Sequence, residues 1–440
     1  MRFHALDQQS LWDDEMSSLR TITTPAGELS YRFSTHETHP PLYFLQLKVW
    51  SALRMRSLVK LRANSALWGM LSLALVFLVA RLYGGDTVGL LALAFLVLSP
   101  LQLAYSQELR PYAMAMTLGL SALLALERRK WILLGCLWTA LLYTHYWGAF
   151  VVLAQGIYGY TTDLAQSQKK AVLAAAGSAS VLFLPWLPIL YAQLGVIDRM
   201  AFWVPAFSLM NLAKVFAGYS GLFFNMASWT FYLPTTVWVL ALFGLCFAAA
   251  LGLGLSRGPK GPVLWLLIGV GVPWLLSLWK TGIFLWYRYP VLMFPAFAIL
   301  LATGLQAVKP RPVRVIMVLA VLGSQAWGSW VYFHGWQKAN PKAVMQYVHW
   351  LKQPDSVIIR PSYFADLYSF YDLGTTSPID ENLLDTSEKR TTLKGKHIIF
   401  IAFDVPYDPV GEALVREFKT LTVRYFPGTA HLGIAVYQLK

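Results

Sequence analysis

The 440 residues are 57% hydrophobic and only 13% charged, against about 25% charged in a soluble domain. This excludes an ordinary water-soluble enzyme and puts much of the chain in lipid, with 18 Trp and 22 Tyr to populate the headgroup belts. The net charge of +14 does not mark a nucleic-acid binder: residues 335–440 carry 12 Lys and Arg against 11 Asp and Glu, so the surplus lies in short loops between apolar runs.

The first residues, 1–13, are polar and lack the apolar core of a signal peptide. Ser10-Leu11-Trp12 lead into Asp13-Asp14-Glu15, and charge is costly in hydrocarbon, so this cluster belongs in water at the membrane surface. His36-Glu37-Thr38-His39-Pro40-Pro41 follows. Residues 41–61 read as an amphipathic helix on the outer leaflet, because Lys48, Arg54 and Arg56 interrupt them. About ten apolar runs then have the composition of spans: residues 65–83, 87–104, 111–126, 131–143, 147–161, 171–191, 231–255, 262–278, 284–305 and 313–333. Cys136 and Cys246 lie in such runs and read as small core residues rather than a disulfide.

Lys and Arg orient these spans. The clusters Arg128-Arg129-Lys130, Lys169-Lys170, Arg257 with Lys260, and Lys309 to Arg314 fall in every second loop, which goes to the cytoplasm. The alternate loops hold Glu108 and Arg110, His145, residues 192–230, and Lys280 to Arg288, and are external. So are the acidic cluster and everything after His334. A polar N-terminus on the outside without a signal leads to the expectation that a first span is missing. Beyond residue 334 the composition is soluble: a helix capped by Asn340 with Pro341 in its first turn, strands at 357–360, 397–403, 421–425 and 433–439, and a helix at 409–419. Three regions result: 1–64 as an external catalytic loop with the juxtamembrane helix, 65–334 as the helical membrane domain, and 335–440 as a small extracytoplasmic α/β domain.

Four stretches, SLWDDE, HPPLYFLQLKVW, LSPLQLAYSQELRPYAM and YRYPVLMFPAFAILLATGL, extend over about 300 residues. In order and in sidedness they resemble the GT-C glycosyltransferases. The chain is most similar to the family 39-like group of protein mannosyltransferases, the aminoarabinose transferase and lipopolysaccharide sugar transferases. The resemblance implies a mainly α, polytopic fold whose usual first span is missing here. It implies a multi-pass enzyme of the plasma (inner) membrane with its active site on the extracytoplasmic face. A polyprenyl-phosphate-linked sugar is its donor, and a glycan, lipid or protein hydroxyl its acceptor.

That chemistry needs a carboxylate to take the hydroxyl proton and basic groups to stabilise the leaving phosphate. The family's acidic pair maps onto Asp14 and Glu15, with Asp14 the expected base and Asp13 at a more variable place. The plain alternative is that these acids solvate a loop or cap a helix. His39 stands where relatives have a basic residue before Pro-Pro. Arg110, with Glu108 and Tyr112, suits phosphate binding, unless it is a structural Arg–Glu pair at a helix start. Arg288 is expected on the lipid phosphate and Tyr287 on the cavity wall, against the alternative of interfacial anchors. His145 and Trp186, Trp203 and Trp229 are weaker candidates. No cofactor is required, although Glu15, His36 and His39 leave a divalent metal open. The competing readings are a transporter or flippase of lipid-linked sugars and a non-catalytic relative.

Overall fold

A computed structural model describes the chain except residues 54–56, 201–203, 205, 222–236, 281, 335–339, 362–364, 372–377, 404–408 and 427–433. Trp203, Trp229, Arg54 and Arg56 therefore lie outside the described residues. The chain forms two units. One holds Met1–Leu6 and most of the chain from Ser18 to Phe333; the other joins Asp7–Ser17 to His334–Lys440.

The first unit is helical. Short helices come first: α1 (Asp13–Thr23), which begins in the other unit, α2 (Leu29–Thr35) and α3 (Leu42–Ala52). Then follow α4 (Leu58–Leu98), α5 (Pro100–Ser106), α6 (Tyr112–Glu127), α7 (Trp131–Leu142), α8 (Gly148–Thr161), α9 (Gln166–Phe183), α10 (Leu187–Met200) and α11 (Leu209–Tyr219). The series closes with α12 (Val237–Arg257), α13 (Lys260–Leu276), α14 (Phe294–Ala307) and α15 (Arg311–His334). The single helix expected over 41–61 is instead two, α3 and the start of α4, with Ser57 capping the latter. Lys48, which argued for a surface helix, donates to the carbonyls of Ile22 and Thr24 at 2.8 and 2.6 Å. It serves the open carbonyls at the end of α1.

α4 is not one straight rod. Gly84 and Gly85 leave helical geometry, Gly85 with φ +70°, a conformation glycine adopts without strain. A Cβ placed on Gly89 would stand 3.1 Å from the Phe77 carbonyl oxygen. In a straight helix those residues would be about 18 Å apart along the axis, so the chain folds back at the glycine pair, close to where the sequence separates its first two apolar runs.

The outer helices are inverted relative to soluble ones. On α15, Val313, Val315, Ile316, Leu319 and Trp330 are exposed, whereas Ser324, Gln325 and Ser329 are buried. The buried groups bond across helices: Ser324 Oγ to Ser220 O at 3.0 Å, Gln325 Nε2 to Tyr219 O at 3.1 Å and Ser329 Oγ to Leu98 O at 2.6 Å. Apolar outside and polar or small inside is the packing of helices in lipid, and the chain is a multi-pass membrane protein. Four described helices are long and apolar enough to cross a bilayer, or five when α12 and α13, bent by 118°, count as one span. The expected ten are not reproduced by that measure. α6 and α7 are apolar but shorter than 18 residues, and the folded-back α4 counts once. Cys136 is exposed and Cys246 half-buried; both are free thiols, so the expected core placement is corrected for Cys136, on the outer face of α7.

The second unit is α/β. Its strands β1 (Val357–Arg360), β2 (Ile379–Asp380), β3 (Ile398–Phe403), β4 (Thr420–Phe426) and β5 (Ile434–Leu439) form one sheet in the order β2-β1-β3-β5-β4. β1 pairs parallel with β2 and β3, and β5 antiparallel with β3 and β4. Ile359, Ile398, Phe400 and Leu439 of the sheet pack with Leu384, Leu393, Leu414 and Phe418. Asn340 caps the helix α16 (Pro341–Leu351) through Ala343 N at 3.0 Å, as its sequence predicts. The two-residue β2 and the helix Ala365–Tyr371 carry no clear sequence signal.

Candidate functional site

In the helical unit, four turns meet: residues 36–41 before α3, 107–111 before α6, 143–147 before α8, and 285–293 before α14. Proline precedes or opens three of the following helices, at Pro41, Pro111 and Pro295, where a missing N–H costs nothing. Leu42 N donates to Tyr143 O at 2.9 Å, tying the first turn to the third.

Arg110 lies at the centre, 2% exposed. Its Nη2 is 2.9 Å from His39 Nδ1, its Nη1 donates to Ser18 Oγ at 3.3 Å, and Glu37 Oε1 lies 3.9 Å from Nη2. Ser18 Oγ in turn donates to Leu109 O at 2.7 Å, fixing the turn that carries the arginine. His39 Nδ1 is also 3.3 Å from Glu37 Oε1. A guanidinium only donates, so a neutral His39 accepts from Arg110; a protonated ring would donate to Glu37 and give up that bond. Gln193 of α10 clasps the loop from outside, its Nε2 donating to Phe33 O at 2.9 Å and His39 O at 3.3 Å.

Glu37 is buried, and burial by itself raises its pKa. The His39 ring, the Arg110 charge and the Thr38 N–H, 2.9 Å from Oε1, outweigh burial and bring it down to about 2. The carboxylate is thus ionised at neutral pH. His145 is pushed the other way, well below the ordinary imidazole value, by burial first and then by His39 and Arg110. It is neutral.

Aromatic rings complete the cluster. Tyr112 lies 4.8 Å from Tyr105, 5.5 Å from His145 and 6.3 Å from His39 between ring centroids. Tyr105 Oη donates to Tyr287 O at 2.6 Å, which anchors the Tyr287-Arg288-Tyr289 segment to α5. Arg288 is buried, its guanidinium 5.6 Å from the Tyr287 ring centroid, and Tyr289 meets His145 edge-on and Trp147 at a tilt, with centroids 5.7 and 5.6 Å away. Of the residues singled out in the sequence, His39, Arg110, Tyr112, Tyr287, Arg288 and His145 come together here, and Glu108 is buried in the same turn as Arg110. Arg110 lies 3.9 Å from the carboxylate of Glu37, a residue 73 positions away, rather than only beside the local glutamate that the alternative reading named. Trp186 sits to the side, donating to Tyr146 Oη at 2.9 Å.

Sequence reasoning missed Glu37, Ser18, Tyr105, Gln193 and Tyr289. Glu37 had a signal, since it lies between two histidines in His36-Glu37-Thr38-His39. The metal set is not assembled. His36 is exposed against Tyr31 while His39 is buried on Arg110, and among the described residues no three His, Cys, Asp or Glu side chains gather as ligands.

In the second unit, Asp13, Asp14 and Glu15 form the first turn of α1, where carboxylates are favoured by the helix dipole. Asp13 and Asp14 are half-buried and Glu15 is buried. The chain just before them is held by Ser10 Oγ donating to Asn340 Oδ1 at 2.9 Å and Leu11 N donating to Tyr371 Oη at 2.8 Å.

Comparison with known proteins gives two matches of different reach. Residues 38–189 match the family model described as dolichyl-phosphate-mannose-protein mannosyltransferase. Over 99% of this chain and 95% of the other, the fold is similar to ArnT from Cupriavidus metallidurans in the apo state, at 13% identity and a TM-score of 0.55. The same protein bound to undecaprenyl phosphate matches over the same shares at 13% identity and a TM-score of 0.53. The archaeal oligosaccharyltransferase AglB from Archaeoglobus fulgidus, in complex with an inhibitory peptide and a dolichol-phosphate, aligns over 83% of this chain and 61% of its own, at 12% identity and a TM-score of 0.43. No protein of curated function matches significantly. The sequence match thus covers residues 38–189, about a third of the chain, and the likeness in fold to ArnT covers nearly all of it.

Proposed function

We propose that the protein is an inverting membrane glycosyltransferase that moves a sugar from a polyprenyl-phosphate donor to an acceptor hydroxyl. The observation that carries this reading is the buried Arg110–His39–Glu37 cluster, of which Arg110 and His39 fall inside the region that matches the mannosyltransferase family model. A buried guanidinium flanked by imidazole and tyrosine is suited to a phosphate, which it can bind bidentately. The likeness in fold to ArnT, solved with undecaprenyl phosphate, supports the same ligand class.

In this reading Arg110 and Arg288 hold the lipid phosphate, His39 donates to it, and Tyr112 and Tyr287 line the cavity. The acceptor oxygen attacks the anomeric carbon as the bond from that carbon to the phosphate oxygen breaks. The hydroxyl proton passes to the Asp14 carboxylate, with Glu15 beside it and Asp13 contributing less. The electron pair leaves on the polyprenyl phosphate, whose growing charge the arginines stabilise. The active site faces the extracytoplasmic side of the plasma (inner) membrane, with about ten passes through the bilayer. The chain reads as an external catalytic segment at 1–64, a helical domain at 65–334 and an outer α/β domain at 335–440.

The test is transfer in membranes containing the full chain, supplied with labelled polyprenyl-phosphate sugar. Label moving to an acceptor, and lost with Asp14→Asn, supports the reading. Label that crosses the bilayer still on its lipid identifies a flippase, and label that stays in place identifies a non-catalytic relative.

A further inference from the structure

His145 occupies the turn between α7 and α8 and is 2% exposed. Its Nδ1 accepts from Trp147 N at 3.1 Å, which puts the proton of the neutral ring on Nε2. That Nε2 is buried and meets no hydrogen-bond partner among the described residues. Buried donors left without a partner are few in native proteins, and each one asks for an explanation. The ring is bordered by His39 at 5.0 Å, Tyr112 at 5.5 Å and Tyr289 at 5.7 Å, and Tyr289 is half-exposed. The Arg110 guanidinium belongs to the same cluster and opposes a charge on His145 itself. A neutral N–H donor beside a guanidinium is matched best by an anionic oxygen that both can share.

We propose that the Nε2–H of His145 is a further donor to the phosphate of the lipid-linked ligand, beside Arg110. The inference rests on the reading of the Arg110 cluster as a phosphate site, and it adds a residue from a third turn that neither the family motifs nor the mechanism above uses. It gives the site a donor that carries no charge at neutral pH, so it recognises the phosphate without competing with Arg110 for Glu37.

Two substitutions separate this role from the bond to Trp147. His145→Asn keeps an acceptor where Nδ1 stands, two residues before Trp147 as in an Asx turn, but does not reach the place of Nε2. His145→Gln reaches it and gives up the turn bond. Undecaprenyl phosphate is titrated against the purified full chain in detergent, with inorganic phosphate in parallel and thermal stability recorded for each variant. His145→Asn is expected to bind the lipid about 10-fold or more weakly, and His145→Gln to stay within about 3-fold of wild type. Inorganic phosphate is expected to bind far more weakly than the lipid; equal binding assigns the donor to free phosphate and overturns the lipid assignment. Asn binding as tightly as wild type overturns the inference, and so does loss of affinity in Gln alone. Loss in both supports it when thermal stability is unchanged and overturns it when stability falls in step. Failure of wild type to bind the lipid, or Arg110→Ala binding like wild type, is a separate result, and it removes the phosphate reading itself.

Discussion

Glu37→Gln probes the electrostatics of the cluster most directly. The carboxylate is 1% exposed, 3.9 Å from Arg110 Nη2 and 3.3 Å from His39 Nδ1. Its pKa is drawn from 4.5 to about 2, which corresponds to about 3 kcal/mol of stability at neutral pH. Coulomb's law for the Arg110 pair alone gives about 4 kcal/mol at an effective dielectric of about 20, before the cost of burying the charge is set against it. Because the folded pKa is depressed, this stability is present above the ordinary carboxylate pKa and is lost as pH falls towards about 2. The amide keeps the shape and removes the charge that Glu37 sets beside the buried Arg110. Thermal unfolding in detergent, followed by tryptophan fluorescence, is expected to show the variant less stable by about 3 kcal/mol at pH 7, with more than half of the gap closed by about pH 3. Binding of undecaprenyl phosphate at pH 7 is expected to tighten, since Glu37 competes with the phosphate for the guanidinium. Equal stability at pH 7, or a gap that does not change with pH, would refute the assigned ion pairing.

Asp14→Asn is expected to lower transfer by about 10²–10⁴-fold with lipid binding intact, and Asp13→Asn to be milder; the reverse order in a turnover assay moves the base by one residue. Arg288→Ala is expected to weaken both binding and turnover, because it meets a charge present in the ground state that grows in the transition state; unchanged affinity in a titration would remove it from the site. Tyr371→Phe deletes the hydroxyl that holds Leu11 N and is expected to reduce turnover several-fold without changing lipid affinity, a split that a kcat and Kd comparison resolves. In a background lacking Cys136 and Cys246, an impermeant thiol reagent on intact cells is expected to label a cysteine at exposed position 353 and not at exposed position 129. The opposite pattern inverts the topology.

A mainly helical membrane fold and the limits of several of its helices were legible in the amino-acid order. Apolar runs bounded by Pro, Gly and basic loops stop helices locally, so α6, α7 and α8 begin and end within a few residues of their sequence limits. Asn340-Pro341 and the strand Val357–Arg360 were equally legible, because caps and short β-branched runs act through neighbouring residues. His39, Arg110 and Arg288 were recognisable since a charge beside an apolar span needs a reason to be there. Tertiary structure decided what these groups meet. Glu37 lies 73 positions from Arg110 and Gln193 lies 154 from His39, and no local pattern encodes such pairings. Lys48 has the sequence context of a surface charge, and only the fold brings the carbonyls at the end of α1 to its ammonium. The span count also depended on three dimensions, because only packing distinguishes a folded-back glycine pair at Gly84-Gly85 from a continuous helix. Partner choice inside a membrane protein is set by which buried donors and acceptors can satisfy one another away from water. That is a property of the assembled turns and not of any one of them.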